Sequence, residues 1–218
     1  MIHLLTKKIS FPDPSLARED GLLSIGGDLR PERLLLAYSL GIFPWFSDDE
    51  FIMWFSPHRR FVLFPAEIRI SKSMNAVQRS GKFNVTVNND FQGVVENCAK
   101  AKRKNQGQSG TWITRGMQEA YMKLHKLKRA YSIEVWHEDE LAGGLYGVNV
   151  GNVFCGESMF SKKNNASKIA LIHLALKMNY DLIDCQVFTP HLSSMGARFI
   201  GRNDYEKFLK QALRSPGR

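Results

Sequence analysis

Residues 131–159 contain three strand-like stretches in close succession, and this run most restricts how the chain can fold. Tyr131–Trp136, Leu141–Val150 and Val153–Met159 are rich in β-branched and aromatic residues. Only Glu138–Glu140 and Gly151-Asn152 separate them, and turns this short join antiparallel neighbours. The sequence therefore predicts a three-stranded antiparallel meander at the centre of the chain.

Helical patterns lie on both sides of this meander. Apolar residues at spacings of three and four predict an amphipathic helix from about Arg115 to Leu127, with Thr114 as its cap. A second helix is predicted over Ala166–Met178, and the short apolar run Leu182–Val187 is typical of a central strand. The polar, basic segment Ala99–Ser109 indicates a flexible loop. This order predicts an α/β (α+β) fold with a mixed, largely antiparallel sheet.

The first part of the chain has a different character. Proline and aromatic residues interrupt it repeatedly, as in the segment at residues 41–47, until the polar His58-Arg59-Arg60. We therefore expect a small N-terminal domain over residues 1–58 and a larger domain over residues 59–218. With 218 residues, the chain has the length of one domain or of such a pair.

Positive charge is concentrated in one part of the chain. The net charge is +9, and residues 100–129 hold nine of the 30 basic residues but one of the 21 acidic ones. A basic band of this kind favours a polyanionic partner, most simply nucleic acid. The alternative is a solvated helix face beside a loop.

Several classes of protein are disfavoured. No run approaches the roughly 18 apolar residues of a membrane span, and Lys7 and Lys8 interrupt the N-terminal apolar run that a signal peptide would need. Cys98, Cys155 and Cys185 form no CxxC pair, so we expect neither a disulfide framework nor a metal site. The simplest expectation is a cytoplasmic protein without a membrane association.

Polar residues within apolar strands mark candidate chemistry. In a regular strand, Glu157 shares one face with Cys155 and Met159, while Phe154 and Phe160 share the other. A carboxylate on such a face needs a partner or a function. The structural alternative is a glutamate at the edge of the core that is paired with an arginine.

Asp184 and Gln186 form a second candidate. They are two residues apart in an apolar strand, so their side chains are expected to project together. With Glu157 they could line the polar end of a pocket that orients an amine and a carbonyl. The alternative is a hydrogen-bonded pair at the end of the strand.

Two tryptophans are candidate stacking surfaces. Trp112 precedes the amphipathic helix, and Trp45 lies in the aromatic segment Phe43–Phe46. Aromatic rings beside a basic band suit an unpaired nucleic-acid end, because bases stack on them. Packing within the core or between the lobes is the alternative for both.

The chain resembles the leucyl/phenylalanyl-tRNA–protein transferase family along nearly its whole length. The matching stretches are GLLSIGGDL at 21–29, GIFPWFS at 41–47, GTWITRG at 110–116, SIEVW at 132–136, GGLYGV at 143–148, FCGESMFS at 154–161, NASK at 165–168 and LIDCQV at 182–187. The resemblance implies a C-terminal domain like the acyl-CoA N-acyltransferases. It also implies an enzyme that moves Leu or Phe, and Met less well, from aminoacyl-tRNA to the N-terminal α-amine of proteins that start with Arg or Lys. These products enter N-end rule degradation.

The resemblance also assigns residues. It implies catalytic or orienting roles for Asp184, Gln186 and Glu157. The substrate site that it implies comprises Trp45, Trp112, Leu145, Phe154, Met159, Leu171 and Ile183. The acceptor stem and 3′ end of the tRNA are expected to contact Lys100, Lys102, Arg103, Lys104, Arg115, Lys123 and Lys126. Leu145 stands where we expect the family to have methionine. The reaction needs no cofactor or metal, and a monomer is expected.

Two other functions remain as alternatives at this point. An acetyl-CoA-dependent N-acetyltransferase would share the fold, but the segment from Lys104 to Ser109 falls short of its pyrophosphate-binding loop. A noncatalytic RNA-binding module would explain the basic band alone.

Overall fold

The computed structural model describes residues 2–47, 51–101 and 113–214. The strands are His3–Leu5 (β1), Leu22–Gly26 (β2), Phe43–Pro44 (β3), Met53–Phe55 (β4), Arg59–Leu63 (β5), Asn84–Val87 (β6), Ala130–His137 (β7), Glu140–Val150 (β8), Val153–Ser161 (β9), Leu182–Gln186 (β10) and Arg198–Gly201 (β11). The α-helices are Pro31–Ser39 (α1), Lys72–Arg79 (α2), Phe91–Lys100 (α3), Arg115–Lys126 (α4), Ala166–Lys177 (α5), Pro190–Ser194 (α6) and Arg202–Arg214 (α7).

The strands form two sheets, one small and one large. The small sheet has the order β1-β2-β4-β3, and the large sheet has the order β11-β5-β10-β9-β8-β7-β6. Within the large sheet β9 and β10 pair in parallel, and the other neighbours pair antiparallel. The predicted α+β class and the mixed, largely antiparallel sheet are confirmed. The small sheet ends at Phe55 and the large sheet begins at Arg59, but the proposed domain boundary at residue 58 stays a prediction.

The central meander is confirmed as β7, β8 and β9. Its second turn depends on Gly151, which adopts a positive φ of 55° and lies against α7. A Cβ atom at this position would lie 2.1 Å from the carbonyl oxygen of Ala212, so only glycine allows this approach. The meander is therefore closely packed against α7 at this turn.

Helices cover both faces of the large sheet. Residues of α1, α3, α4 and α7 share a hydrophobic cluster with one face, which includes Tyr146 and Cys155. Residues of α2, α5 and α6 share a second cluster with the opposite face, which includes Leu145 and Phe154. The sheet is thus the middle layer of three, and each face buries apolar side chains. The small sheet contributes Leu23, Phe43 and Trp54 to the first cluster.

The predicted helices α4 and α5 are confirmed, whereas α3 was not predicted. The Thr114 hydroxyl caps α4 by accepting a hydrogen bond from the Met117 amide at 3.2 Å. Ala99 and Lys100 belong to α3, so the predicted loop cannot begin at Ala99. The signal for α3 was present, since Asp90 caps it and apolar residues at spacings of three and four make its buried face. Ala101 follows the helix in an extended conformation, and residues 102–109 of the predicted loop lie outside the described residues.

Candidate active site

Strands β9 and β10 separate in the middle of the large sheet, and the candidate site lies where they part. Their parallel pairing runs from Leu182 opposite Val153 to Asp184 opposite Cys155, where it stops. Immediately beyond, β9 shifts register against β8 at Glu157, and β10 shifts register against β5 at Cys185. Bulges of this kind bend a strand and redirect its side chains. A cavity of about 670 Å³ opens between the two strands.

The bulge at Glu157 overturns the predicted strand faces. Cys155 and Phe160 lie in the cluster on the α3 and α4 face, whereas Phe154 and Met159 pack with the cluster on the α5 face. The prediction that Met159 shares a face with Cys155 was therefore wrong. One extra residue in a strand reverses which face of the sheet the following side chains point to. Glu157 is that extra residue, so the faces exchange at its position.

The cavity brings together most of the residues that the sequence singled out. The predicted residues that line it are Trp45, Lys100, Leu145, Phe154, Glu157, Met159, Leu171, Ile183, Asp184 and Gln186. The aliphatic and aromatic members form its apolar wall, and Glu157, Asp184 and Gln186 form a polar end. The volume falls in the range of small-molecule sites, which bury most of a ligand in an apolar hollow with few polar groups.

The remaining predicted residues lie elsewhere. Arg115, Lys123 and Lys126 are exposed on α4 and do not line the cavity. Lys100 ends α3 at the cavity, and its ammonium group lies 3.6 Å from Glu96. Trp112, Lys102, Arg103 and Lys104 lie outside the described residues.

Asp184 is the centre of a buried hydrogen-bond network. Its carboxylate accepts hydrogen bonds from Arg60 Nε at 2.9 Å and Nη2 at 2.8 Å. It also accepts from the Tyr205 hydroxyl at 2.7 Å and from the Gln186 backbone amide at 2.9 Å. Asp184 is fully buried and Arg60 almost so. Held by these hydrogen bonds, the carboxylate acts as a fixed anchor for the backbone of Gln186.

Arg60 is itself held between aromatic rings. Its guanidinium carbon lies 4.6 Å from the centre of the Phe43 ring and 4.7 Å from that of the Tyr205 ring. Phe43 belongs to the small sheet and Tyr205 to α7, so the ion pair joins three parts of the fold. Cation–π contacts of this kind are strengthened when water is excluded.

Glu157 has hydrogen bonds but no positive partner among the described residues. Oε2 accepts a hydrogen bond from the Tyr121 hydroxyl at 2.6 Å, and Oε1 accepts one from Gln186 Nε2 at 2.8 Å. No basic side chain in the described ranges forms an ion pair with it. Burial raises the pKa of Glu157 to about 7, although its hydrogen bonds with Tyr121, Tyr38 and Gln186 act in the opposite direction. The donors that the structure gives Glu157 are therefore neutral groups, unlike the guanidinium group that faces Asp184.

Gln186 connects the two carboxylates. Its φ of 60° places it in the left-handed region, directly after the bulge in β10. Its backbone nitrogen donates to Asp184 and its side-chain nitrogen to Glu157. Its amide oxygen is the acceptor of the side chain. The side chains of Asp184 and Gln186 therefore converge through the bulge and its hydrogen bonds, not through simple alternation.

Sequence reasoning missed four residues of this arrangement. Arg60 was expected only at the polar domain boundary, and Tyr38, Tyr121 and Tyr205 were not among the candidate residues. A polar residue in the apolar run Arg60–Phe64 was the available signal, because a charged side chain in a central strand needs a buried partner.

No helix in the described ranges is long and apolar enough to cross a membrane.

Comparison with known proteins identifies the family. The family model "Leucyl/phenylalanyl-tRNA protein transferase" matches residues 62–210, and the model of the N-terminal domain of that family matches residues 27–58. A leucyl/phenylalanyl-tRNA–protein transferase of Flavobacterium psychrophilum is 54% identical over 96% of this chain and 100% of the relative. The proteins of the same name from Syntrophus aciditrophicus and Shigella sonnei are 54% and 49% identical. Each alignment covers 97% of this chain, with 89% and 90% of the two relatives. The chain belongs to the leucyl/phenylalanyl-tRNA–protein transferase family of aminoacyltransferases.

Proposed function

We propose that this protein transfers Leu or Phe, and Met less readily, from aminoacyl-tRNA to the N-terminal α-amine of proteins that begin with Arg or Lys. Transfer marks those proteins for N-end rule degradation. The observation that carries this proposal is the cavity between β9 and β10, which joins an apolar wall to a polar end made by Glu157, Gln186 and Asp184. The names of the relatives supply the donor and the acceptor class.

The apolar wall suits the side chain of the transferred amino acid. Leu145, Phe154, Leu171 and Ile183 are buried around it, and Met159 packs against the same cluster. A branched or aromatic side chain gains free energy by leaving water for such a surface. Discrimination between side chains by fit is modest, at about 1–3 kcal/mol per methylene. Another apolar amino acid of similar size, such as Met, is therefore expected to be transferred less readily.

Trp45 is proposed to bind the 3′ adenosine. It lines the cavity and packs edge-on against Phe55, with their ring centres 5.7 Å apart. A half-buried indole held in this way offers a stacking surface to a base. Trp112 keeps the same proposed role on the strength of the sequence resemblance.

The polar end is proposed to orient two amines. Glu157 binds the α-ammonium group of the aminoacyl ester, and the Gln186 amide oxygen accepts a hydrogen bond from the attacking amine. The amine nitrogen forms the new bond to the ester carbonyl carbon, the carbon–oxygen bond to the ribose breaks, and the ribose oxygen takes up the proton. Since Asp184 is fully engaged by Arg60 and Tyr205, we assign it the orientation of Gln186 and not proton removal.

The basic residues are proposed to hold the tRNA acceptor stem. Lys100 lies at the cavity, and Arg115, Lys123 and Lys126 are exposed on α4. Lys102, Arg103 and Lys104 complete the proposed set. Contacts of this kind neutralise phosphates without reading sequence, so they would serve several tRNAs. We also propose that the protein acts in the cytoplasm as a monomer, with domains at residues 1–58 and 59–218.

The test is direct transfer. Labelled Phe-tRNA or Leu-tRNA is mixed with a peptide that begins with Arg, and labelled peptide bonds are measured. An otherwise identical peptide with an acetylated N-terminus is the control, because it has no free α-amine. Transfer to the free peptide alone is expected. Acetylation of the same peptide by acetyl-CoA, or tRNA binding without transfer, would reject the proposal in favour of an N-acetyltransferase or an RNA-binding module.

A further inference from the structure

A chain of three buried hydrogen-bonded groups leads away from the cavity at Glu157. The Tyr121 hydroxyl donates to Glu157 Oε2 at 2.6 Å, and the hydroxyls of Tyr121 and Tyr38 lie 2.5 Å apart. Tyr38 is 1% exposed and Tyr121 is 0% exposed. Two phenol groups in such a position give up hydrogen bonds to water, so their contacts within the protein fix their direction.

The chain joins parts of the protein that are distant in sequence. Tyr38 lies on α1, Tyr121 on α4, and Glu157 at the bulge of β9. The Tyr121 ring also packs edge-on against Tyr146 of β8, with ring centres 5.4 Å apart. These contacts leave the Tyr121 hydroxyl little freedom to move. The direction of the Glu157 carboxylate therefore depends on how α1 and α4 pack on the sheet.

The two carboxylates of the polar end differ in how their charge is balanced. Asp184 faces the guanidinium group of Arg60, whereas the donors to Glu157 are a phenol and an amide, which are neutral. Neutral donors orient a carboxylate and satisfy its lone pairs without cancelling its charge. Glu157 therefore keeps its attraction for a cationic group that enters the cavity.

We propose that Tyr121, supported by Tyr38, is a positioning residue that turns Glu157 towards the cavity to receive the α-ammonium group of the aminoacyl donor. This inference rests on the proposed function. Because α4 also carries the exposed Arg115, Lys123 and Lys126, the same helix would align both the amine and the tRNA stem.

The ionisation of Glu157 supports this assignment. Burial raises its pKa to about 7, and the hydrogen bonds with Tyr121 and Tyr38 lower it. The other ionisable groups that act on it are Asp184 of β10, which raises its pKa, and the thiol of Cys155 on its own strand. Removal of the Tyr121 hydroxyl should raise the pKa of Glu157 further, so that less of it is charged at neutral pH.

The test compares two ligands and three variants. Puromycin carries the α-amine of an aminoacyl-adenosine, and its analogue with hydrogen in place of that amine does not. The preference is the ratio of the two dissociation constants, measured at several pH values for wild type, Tyr121→Phe, Tyr38→Phe and Tyr180→Phe. Tyr180→Phe is the control, because it also removes a hydrogen-bonded phenol hydroxyl, which is half-buried and donates to Asn149 at 2.7 Å, and Tyr180 does not line the cavity.

The expected result is specific to the amine. Tyr121→Phe should reduce the preference for puromycin about tenfold or more at neutral pH, since hydrogen bonds to charged groups are worth about 1.5–3 kcal/mol. The pH at which the preference is half lost should rise by about one unit or more. Tyr38→Phe should act in the same direction and more weakly. Tyr180→Phe should match wild type, and binding of the amine-free analogue should stay unchanged throughout.

Other outcomes separate this inference from the proposed function. If wild type transfers label but Tyr121→Phe and Tyr38→Phe keep the full preference, the positioning role is wrong and the proposed function stands. Equal weakening of both ligands would show a general structural role and would also overturn the inference. If wild type transfers no label, the proposed function itself fails. Should Tyr121→Phe not fold, Tyr38→Phe decides the result, because it removes the other phenol hydroxyl that acts on Glu157.

Discussion

Arg60 and Asp184 form a bidentate ion pair inside the large sheet. Both nitrogens that face the carboxylate, Nε and Nη2, lie within 3.0 Å of its oxygens, and the two residues are 124 positions apart in sequence. The pair lies where β5 and β10 run antiparallel and where β9 leaves β10. It therefore stabilises the position at which the cavity opens.

Loss of Arg60 should destabilise the protein strongly. In Arg60→Met the carboxylate of Asp184 would remain buried without its cation, which typically costs about 3–5 kcal/mol of the free energy of unfolding. Urea denaturation measures this loss. Arg198→Ala is the control, because it removes the half-exposed pair with Glu67 and should cost less than about 1 kcal/mol. Similar losses in both variants would contradict a special role for the buried pair.

Asp184→Asn should reduce turnover more than it weakens tRNA binding. The amide keeps the size of the side chain but removes the charge that faces Arg60, and the Gln186 backbone amide loses a charged acceptor. A small displacement of a positioned group can cost about 100-fold in rate, so kcat should fall by roughly that factor while the Kd for tRNA stays near wild type. Single-turnover kinetics and filter binding give the two values. A larger loss in tRNA binding than in turnover would remove Asp184 from its assigned role. Asp181→Ala, which changes an exposed aspartate, is the control.

Glu157 should make stability fall as pH rises from acidic to neutral. Its folded-state pKa of about 7 lies above the ordinary 4.5, so the folded state binds a proton that the unfolded chain releases over this interval. The stabilisation that Glu157 contributes to the free energy of unfolding is fully present below about pH 4.5. It is lost as pH rises to about 7, and the total loss is ~3 kcal/mol. Urea denaturation at several pH values, for wild type and Glu157→Gln, isolates this difference. A difference that does not change with pH would show that the pKa of Glu157 is not raised.

Gly147→Ala should disturb the strand opposite the bulge. A Cβ atom at this position would lie 2.3 Å from the carbonyl oxygen of Cys155 and 2.6 Å from the Phe154 ring. Overpacking of this kind costs about 1–3 kcal/mol or more, and the melting temperature should fall accordingly. Gly201→Ala is the matched control, since a Cβ atom there would meet nothing within 4 Å. If the two variants melt alike, the close approach at Gly147 is not a constraint on the fold.

Lys100→Ala should make tRNA binding less sensitive to salt. Each phosphate contact contributes about one unit to the slope of log K against log salt concentration, so the slope should become shallower by roughly one. Binding isotherms at several salt concentrations give this slope. Lys82→Ala removes an exposed lysine that does not line the cavity and should leave the slope unchanged. An unchanged slope in Lys100→Ala would place Lys100 outside the phosphate contacts.

Local sequence patterns were sufficient for several elements of the fold. The meander of β7, β8 and β9 follows from strand-like runs and short turns, and α4 follows from its cap at Thr114 and its apolar spacing. These signals depend on residues that are neighbours in sequence, so they can be recognised without the tertiary structure. The same reasoning missed α3, although its cap at Asp90 and its periodicity were present.

The sequence by itself determined which residues form much of the site, but not how they are arranged. The stretches that resemble the family, such as those around Glu157 and Asp184, identified residues that the cavity does bring together. Only the tertiary structure decided how they are arranged, because the bulges at Glu157 and Cys185 arise from pairing with neighbouring strands. The contacts of Arg60 with Asp184 and of Tyr121 with Glu157 likewise join residues far apart in sequence. A hydrogen bond depends on distance and direction in space, and the spacing of residues along a chain specifies neither.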